Sequence, residues 1–325
     1  MSDKKFTGPF AVLCEDFISQ KRAVGYCYKG EARTFWHFDQ YAAQKGVSGK
    51  NLSKELVTGW TEKSPHESDK SWRNRLGVVR VFAGYLGSVG VEAYTVPPLK
   101  RHASVEYTPH IYTDEELRRL FEAADKMEYA PTSPYIHIVF PVLIRMLYGC
   151  GLRISEAYNL RVRDVDLENG VLTIWKSKNE NSRLTPMSES LTVMCRDYTR
   201  KMPEPESDDA PFFPKRFGDA YGQRGLYRQF RILLKKAGIS YGGRGNGPRI
   251  HDFRHTFAVH AMRQLVRNGR NLYITSPILS AYLGHKSLSA TQKYLRLTPD
   301  IYPDIVQKFE TRFGGVVPEV LYEAD

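Results

Sequence analysis

Cysteine is scarce: four in 325 residues, at Cys14, Cys27, Cys150 and Cys195, with no CxxC pair among them. That spacing argues against a disulfide framework and against a cysteine-based zinc site, and it suits a reducing compartment. Long apolar runs are missing too. None approaches the ~20 residues that a membrane-spanning helix needs. The opening MSDKKFTGPF lacks the apolar core and small-residue cleavage site of a secretory signal. There is no internal repeat, no low-complexity stretch and no carboxylate cluster. What is present is an ordinary globular composition, 42% hydrophobic and 26% charged, which excludes wholesale disorder. The length corresponds to about two domains at roughly 150 residues each.

The charge balance is positive, with 47 Lys+Arg against 36 Asp+Glu and a net charge of +11. A basic balance favours a polyanionic partner. The excess is not held in one tail. Residues 1–110 carry 16 basic and 11 acidic side chains, and the remainder 31 and 25. Two globular parts with a basic face each suit a protein that grips a duplex from two sides, although dispersed solvated lysines account for the same total.

Hydrophobic periodicity places helices in the first part. Residues 10–26 carry Leu13, Phe17 and Ile18 at helical spacing, and 31–44 carry Phe35, Phe38 and Tyr41. Ser53 reads as the N-cap of a short helix with Leu56, Val57 and Trp60. Residues 68–86 set Trp72, Leu76, Val79, Phe82 and Ala83 on one stripe. Arg73, Arg75 and Arg80 fall off it, as a solvated face or as phosphate contacts. This predicts a small all-α bundle over 1–99. The proline-containing VPPLKRHASVEYTPH at 96–110 reads as extended, which puts a linker at 100–110 and a second domain over 111–325. Thr113 opens a helix with acids in its first turn. Residues 135–150 form an apolar helix of core length, and GLRISEAYNL follows it. VLTIW at 171–175 and RLTPM at 183–187 read as a β-hairpin. Residues 201–220 read as a surface loop, 223–237 as a basic amphipathic helix, and HDFRHTFAVHAM as a helix behind the glycine-rich YGGRGNGP. The fold class is mainly α with a small antiparallel sheet.

Four segments hold side chains suited to phosphate chemistry: Arg153 in GLRISEAYNL, a lysine in the hairpin, His251 and Arg254 in HDFRH, and His285 with Tyr294 in YLGHKSLSATQKYL. Each alone has an ordinary structural explanation. Together and in this order they resemble the tyrosine recombinase (phage integrase) family. The matching segments are LRISE at 152–156, KSKNENSRLTPM at 176–187, HDFRHTFA at 251–258, and YLGH followed nine residues after its histidine by Tyr294. The resemblance covers residues 110–310, and the N-terminal bundle resembles the family's core-binding domain.

That resemblance implies a site-specific recombinase, built as a C-shaped clamp on DNA, that cleaves and rejoins strands through a 3′-phosphotyrosyl link without metal, ATP or another cofactor. It implies Tyr294 as nucleophile. A free phenol has a pKa of about 10, so its proton must be taken up. Arg153 and Arg254 are implied as the clamp on the non-bridging oxygens, a role their planar donor forks suit. His285 adds a phosphate hydrogen bond, Lys178 protonates the leaving 5′-oxygen, and His251 contacts the phosphate or accepts the tyrosine proton. Glu156, three residues after Arg153 and on the same helix face, is implied as its buttress, or else is a surface ion pair. Counting back from Arg183 favours Lys178. Counting forward from Gly170 lands between it and Lys176, so both stay candidates.

The implied partners are double-stranded recombination sites, a homo-tetramer spanning two of them, and accessory DNA-bending proteins, with no membrane. The implied location is the cytoplasm, at the nucleoid. The stretch 303–320 is expected to dock on a neighbouring subunit or to pack on its own domain. Ala157 replaces the family's frequent leucine, RNGRNLYIT lengthens the segment before His285, and no arm-binding domain is expected before residue 10. A type IB topoisomerase and a DNA-binding regulator on an inactive scaffold are the competing readings.

Overall fold

A computed structural model describes residues 5–98, 108–175, 182–243, 247–285, 287, 291 and 294. The chain divides into two compact units, Met1–Glu106 and Tyr107–Asp325.

The first unit is helical: α1 (Ala11–Ala23), α2 (Lys29–Gln44), α3 (Lys54–Thr61) and α4 (Asp69–Ser88). Serine caps start two of them. The Ser53 hydroxyl accepts the Leu56 N–H and the Ser68 hydroxyl accepts the Ser71 N–H, each at 3.2 Å, satisfying donors a helix start leaves open. The apolar stripes meet in an aromatic core. Phe35 lies 5.0 Å from Phe82, and Phe17 and Phe38 also pack on Phe82, with ring centroids 5.9 and 6.4 Å away. Burying each such ring contributes about 1.5–3 kcal/mol. Asp39 is fully buried inside this unit. Its carboxylate accepts the backbone N–H groups of Thr7, Gly8 and Phe10 at 3.3, 2.7 and 2.9 Å, tying the segment before α1 to α2. Two of the off-stripe arginines have internal work. Arg75 donates to Glu67 at 3.1 and 2.6 Å, and Arg80 donates to the Val96 and Pro97 carbonyls.

The second unit contains α5 (Asp114–Asp125), α6 (Ile136–Gly149), α7 (Ile154–Tyr158), β1 (Val165–Asp166), β2 (Val171–Ile174), β3 (Arg183–Pro186), α8 (Glu189–Lys201), α9 (Gln223–Lys236), α10 (Asp252–Arg267) and α11 (Leu272–Leu283). A reciprocal capping box starts α5: Thr113 accepts the Glu116 N–H at 3.1 Å while Glu116 accepts the Thr113 N–H at 2.9 Å. Helix α6 is buried on most sides and forms the centre of the core, packed by α5, α8 and α10. The expected hairpin is present as β2 and β3, antiparallel with Leu172 opposite Thr185; β1 adds a short antiparallel strand on the other side of β2. The protein is mainly α with this small sheet. Two helices went unread in the sequence, α8 and α11.

The hairpin tip with Lys176 and Lys178, most of the linker and the stretch 303–320 lie outside the described residues.

Candidate active site

Four elements of the second unit converge on one place. Arg153 caps the start of α7, Arg183 lies in β3, Arg254 and His255 occupy the first turn of α10, and Gly284 and His285 follow α11. Glu156 is the anion around which the cations gather. Only 4% of its side chain is exposed. It accepts Arg153 twice, from the backbone N–H at 3.0 Å and from Nη1 at 2.6 Å. Arg183 donates to its two oxygens at 3.1 and 2.8 Å, and Arg254 Nη1 stands 3.9 Å away. Burial acts to raise the Glu156 pKa, but the hydrogen bond and charge of Arg183, with the bonds from Arg153, outweigh it and hold the carboxyl at about 2. Glu156 is thus a buried partner of both Arg153 and Arg183 and not a surface ion pair.

Arg254 is almost covered, with 2% of its side chain exposed. Its Nη1 donates to the Gly151 carbonyl at 2.7 Å and its Nη2 to the Leu283 carbonyl at 2.6 Å. Burial, then repulsion from Arg153, lowers its pKa to about 10, still charged at neutral pH. Arg153 Nη2 donates to the Gly284 carbonyl at 3.3 Å and Arg183 Nε to the Tyr282 carbonyl at 2.9 Å. The end of α11 is thus held by all three guanidinium groups. Two glycines permit the approach. Gly151, at φ +58°, would place a Cβ 2.5 Å from Phe257, and Gly284, at φ +65°, one 3.0 Å from Arg183.

Tyr294 sits in this cluster, 4% exposed, packed with Ala258, Val259, Met262, Leu279 and Leu283. Its hydroxyl lies 3.2 Å from His255 Nδ1 and is hydrogen-bonded by Arg254. Burial raises its pKa above the ordinary tyrosine value, and the charge and hydrogen bond of Arg254 and the charge of Arg153 oppose that rise. The His285 ring stacks against the Tyr294 ring with centroids 6.0 Å apart, and its Nδ1 lies 2.7 Å from the Thr291 hydroxyl. Burial and then Arg254 lower its pKa to about 4, so the imidazole is neutral at pH 7.

Six of the side chains singled out in the sequence, Arg153, Glu156, His251, Arg254, His285 and Tyr294, thus lie in one region, His251 through its 5.0 Å ring contact with His255. Two that the sequence reading passed over, Arg183 and His255, lie among them. Among the described residues no group of three His, Cys, Asp or Glu side chains is placed to hold a metal ion, and no helix is long and apolar enough to cross a membrane.

A helical unit followed by an α-rich unit with a small sheet and a buried Arg–Glu–Arg–Tyr cluster defines a class, and the comparisons agree with it. Residues 110–300 match the model of the phage integrase family, more than half of the chain, and the protein belongs to that family of tyrosine recombinases. It is 29% identical to y4rB of Sinorhizobium fredii, a protein named as an integrase/recombinase, over 94% of this chain and 98% of that one. It is 30% identical to y4rE of the same organism, over 88% and 91%. In fold it is similar to XerH site-specific recombinase bound to a palindromic difH substrate, with a TM-score of 0.63 at 21% identity, covering 91% of this chain and 84% of that one.

Proposed function

We propose that this tyrosine recombinase acts in site-specific DNA recombination by cleaving and rejoining strands at the Arg153–Glu156–Arg254–Tyr294 cluster, to integrate or excise a phage or other mobile element. The observation that carries the reading is the meeting of a phenol and three guanidinium groups that are far apart in sequence. In the cleavage step the Tyr294 oxygen attacks phosphorus, forming the O–P bond as the bond from phosphorus to the 5′-oxygen breaks. The product is a 3′-phosphotyrosyl link and a free 5′-hydroxyl once that oxygen takes a proton, for which Lys178 or Lys176 is the candidate donor. Attack by a 5′-hydroxyl on the link reverses the step, so bond energy is conserved and no ATP is needed.

The arginines supply what the phosphorane-like transition state requires. Charge accumulates on the non-bridging oxygens, and fixed guanidinium donors in a site screened from water stabilise it without reorganisation. Arg153 is the more accessible of the pair (its side chain is 16% exposed), whereas Arg254 is covered and hydrogen-bonded to the phenol. A strand therefore meets Arg153 first, and Arg254 engages the phosphate once Tyr294 gives up part of that hydrogen bond. His285, neutral and stacked on the tyrosine ring, is placed to donate to the phosphate, and His251 lies close enough to contribute to the same charge balance. The helical first unit, net basic, is proposed to contact the same duplex. A tetramer on two sites, with accessory DNA-bending proteins and a cytoplasmic location, completes the proposal.

The test is a nicked duplex bearing the native site, which traps cleaved product. A covalent protein–DNA adduct that disappears in Tyr294→Phe supports the reading, and strand exchange between two sites separates a recombinase from a type IB topoisomerase. An adduct that persists in Tyr294→Phe overturns the assignment of the nucleophile.

A further inference from the structure

From the hydrogen-bond geometry at the Tyr294 hydroxyl we infer that His255 is a catalytic residue, the one that accepts the phenol proton through its Nδ1 during strand cleavage and returns it during rejoining. The assignment rests on Tyr294 being the nucleophile, as proposed above.

A guanidinium only donates, so the hydrogen bond from Arg254 occupies a lone pair of the Tyr294 oxygen. The hydroxyl proton must then point elsewhere, and His255 Nδ1 lies 3.2 Å from that oxygen. With the hydroxyl proton directed at that nitrogen, the ring is the tautomer that carries its own proton on Nε2, and this is the direction the inference assigns to the bond. A protonated ring would turn a donor toward the phenol instead. The ring is neutral at pH 7, because burial first, and then the charges of His251, Arg254 and Arg249, bring its pKa to about 3. Apart from burial, what holds it down is two guanidinium charges and a neighbouring imidazole. A DNA phosphate between the arginines offsets their charge, and the same imidazole becomes a stronger base when substrate is in place. The position is fixed by packing. His255 follows Arg254 directly in the first turn of α10, one turn after His251, and the His251 ring meets it edge to face with centroids 5.0 Å apart.

The proton balance closes without another reactant. The phenol O–H breaks as its proton passes to Nδ1 and the oxygen–phosphorus bond forms. The ring carries the charge until the reverse attack, when the proton returns to the departing tyrosine oxygen. His251, in ring contact with His255, then has the imidazolium as its neighbour.

The experiment compares adduct formation on a nicked duplex for the unchanged protein and for His255→Asn, each with tyrosine or with the more acidic 3,5-difluorotyrosine at position 294. General-base assistance contributes roughly 10²–10⁴-fold. The expected result is a loss of about 100-fold in His255→Asn that shrinks at least tenfold when the phenol is acidified. An equal loss with both phenols makes His255 a packing residue and overturns the inference. A second measurement needs no variant at the histidine. Nitrogen-15 NMR of the histidine-labelled protein should show His255 Nδ1 unprotonated, with a shift that moves in Tyr294→Phe. A protonated Nδ1 overturns the inference whether or not His255→Asn folds. Failure of the unchanged protein to form any adduct would instead remove the strand-cleavage reading on which the inference stands, and the two failures are told apart by that control.

Discussion

Replacing Glu156 by glutamine keeps the shape of the side chain and removes the charge that Arg153 and Arg183 share. In the native protein that carboxylate accepts one backbone and three guanidinium hydrogen bonds of 2.6–3.1 Å with 4% of the side chain exposed. Two routes give the cost. Removing one partner of a buried ion cluster typically destabilises by about 3–5 kcal/mol, because the remaining charges stay buried without compensation. The proton linkage gives a similar figure. The carboxyl titrates at about 2 in the folded protein against a reference of 4.5, and at 1.36 kcal/mol per unit this difference contributes about 3 kcal/mol. The sign follows from the depressed pKa. The contribution is complete above the unfolded value of 4.5 and is lost as pH falls through it toward about 2. Urea unfolding of the unchanged protein and of Glu156→Gln, followed by circular dichroism from pH 7 down to pH 2.5, should therefore show a gap of about 3 kcal/mol that closes progressively below pH 4.5. A gap below about 1 kcal/mol at pH 7, or one that stays constant down to pH 3, would show that Glu156 is not the counter-charge of the cluster.

The remaining predictions concern the frame around the phenol. Arg254→Lys removes a fork that reaches two carbonyls and the phenol at once, and should lower the rate of adduct formation by roughly 10²–10³-fold; a single-turnover assay with full activity would exclude Arg254 from the chemistry. Gly151→Ala combines φ +58° with a Cβ 2.5 Å from Phe257. It should destabilise the second unit by about 1–3 kcal/mol in urea unfolding, whereas Gly225→Ala, whose Cβ meets nothing within 4 Å, should not. In the first unit, Asp39→Ala strips the acceptor from the Thr7, Gly8 and Phe10 N–H groups. A loss of about 2 kcal/mol is expected in thermal unfolding, and faster hydrogen exchange at those three amides localises it.

How much of this was legible before the structure depends on whether the signal was local. Arg153, Arg254, His285 and Tyr294 were found because their types, order and spacing carry the family pattern, and the helices of the first unit because their apolar residues recur at three and four. Helix α8 was readable from Ser188 as cap and from Leu191, Cys195 and Tyr198 at helical spacing, and was passed over between a strand and a loop. Helix α11 was hidden by Pro277 inside it, a residue that ordinarily argues for a break. Arg183 entered the sequence pattern only as the first residue of the second hairpin strand. Nothing nearby in the sequence says that its guanidinium crosses to a carboxylate 27 residues earlier, because that contact exists only once β3 packs beside α7. His255 did carry a signal: it stands four residues after His251 and so on the same face of the helix, beside an arginine already singled out. Its role depends on the direction of one proton, which spacing does not encode.

The site of attachment in the trapped adduct reports directly on whether Tyr294 is the nucleophile. After nuclease and protease digestion, mass spectrometry should find the residual nucleotide joined through its 3′-phosphate to the peptide containing Tyr294. A nucleotide on any other of the chain's 20 tyrosines, or one joined through a 5′-phosphate, would contradict it.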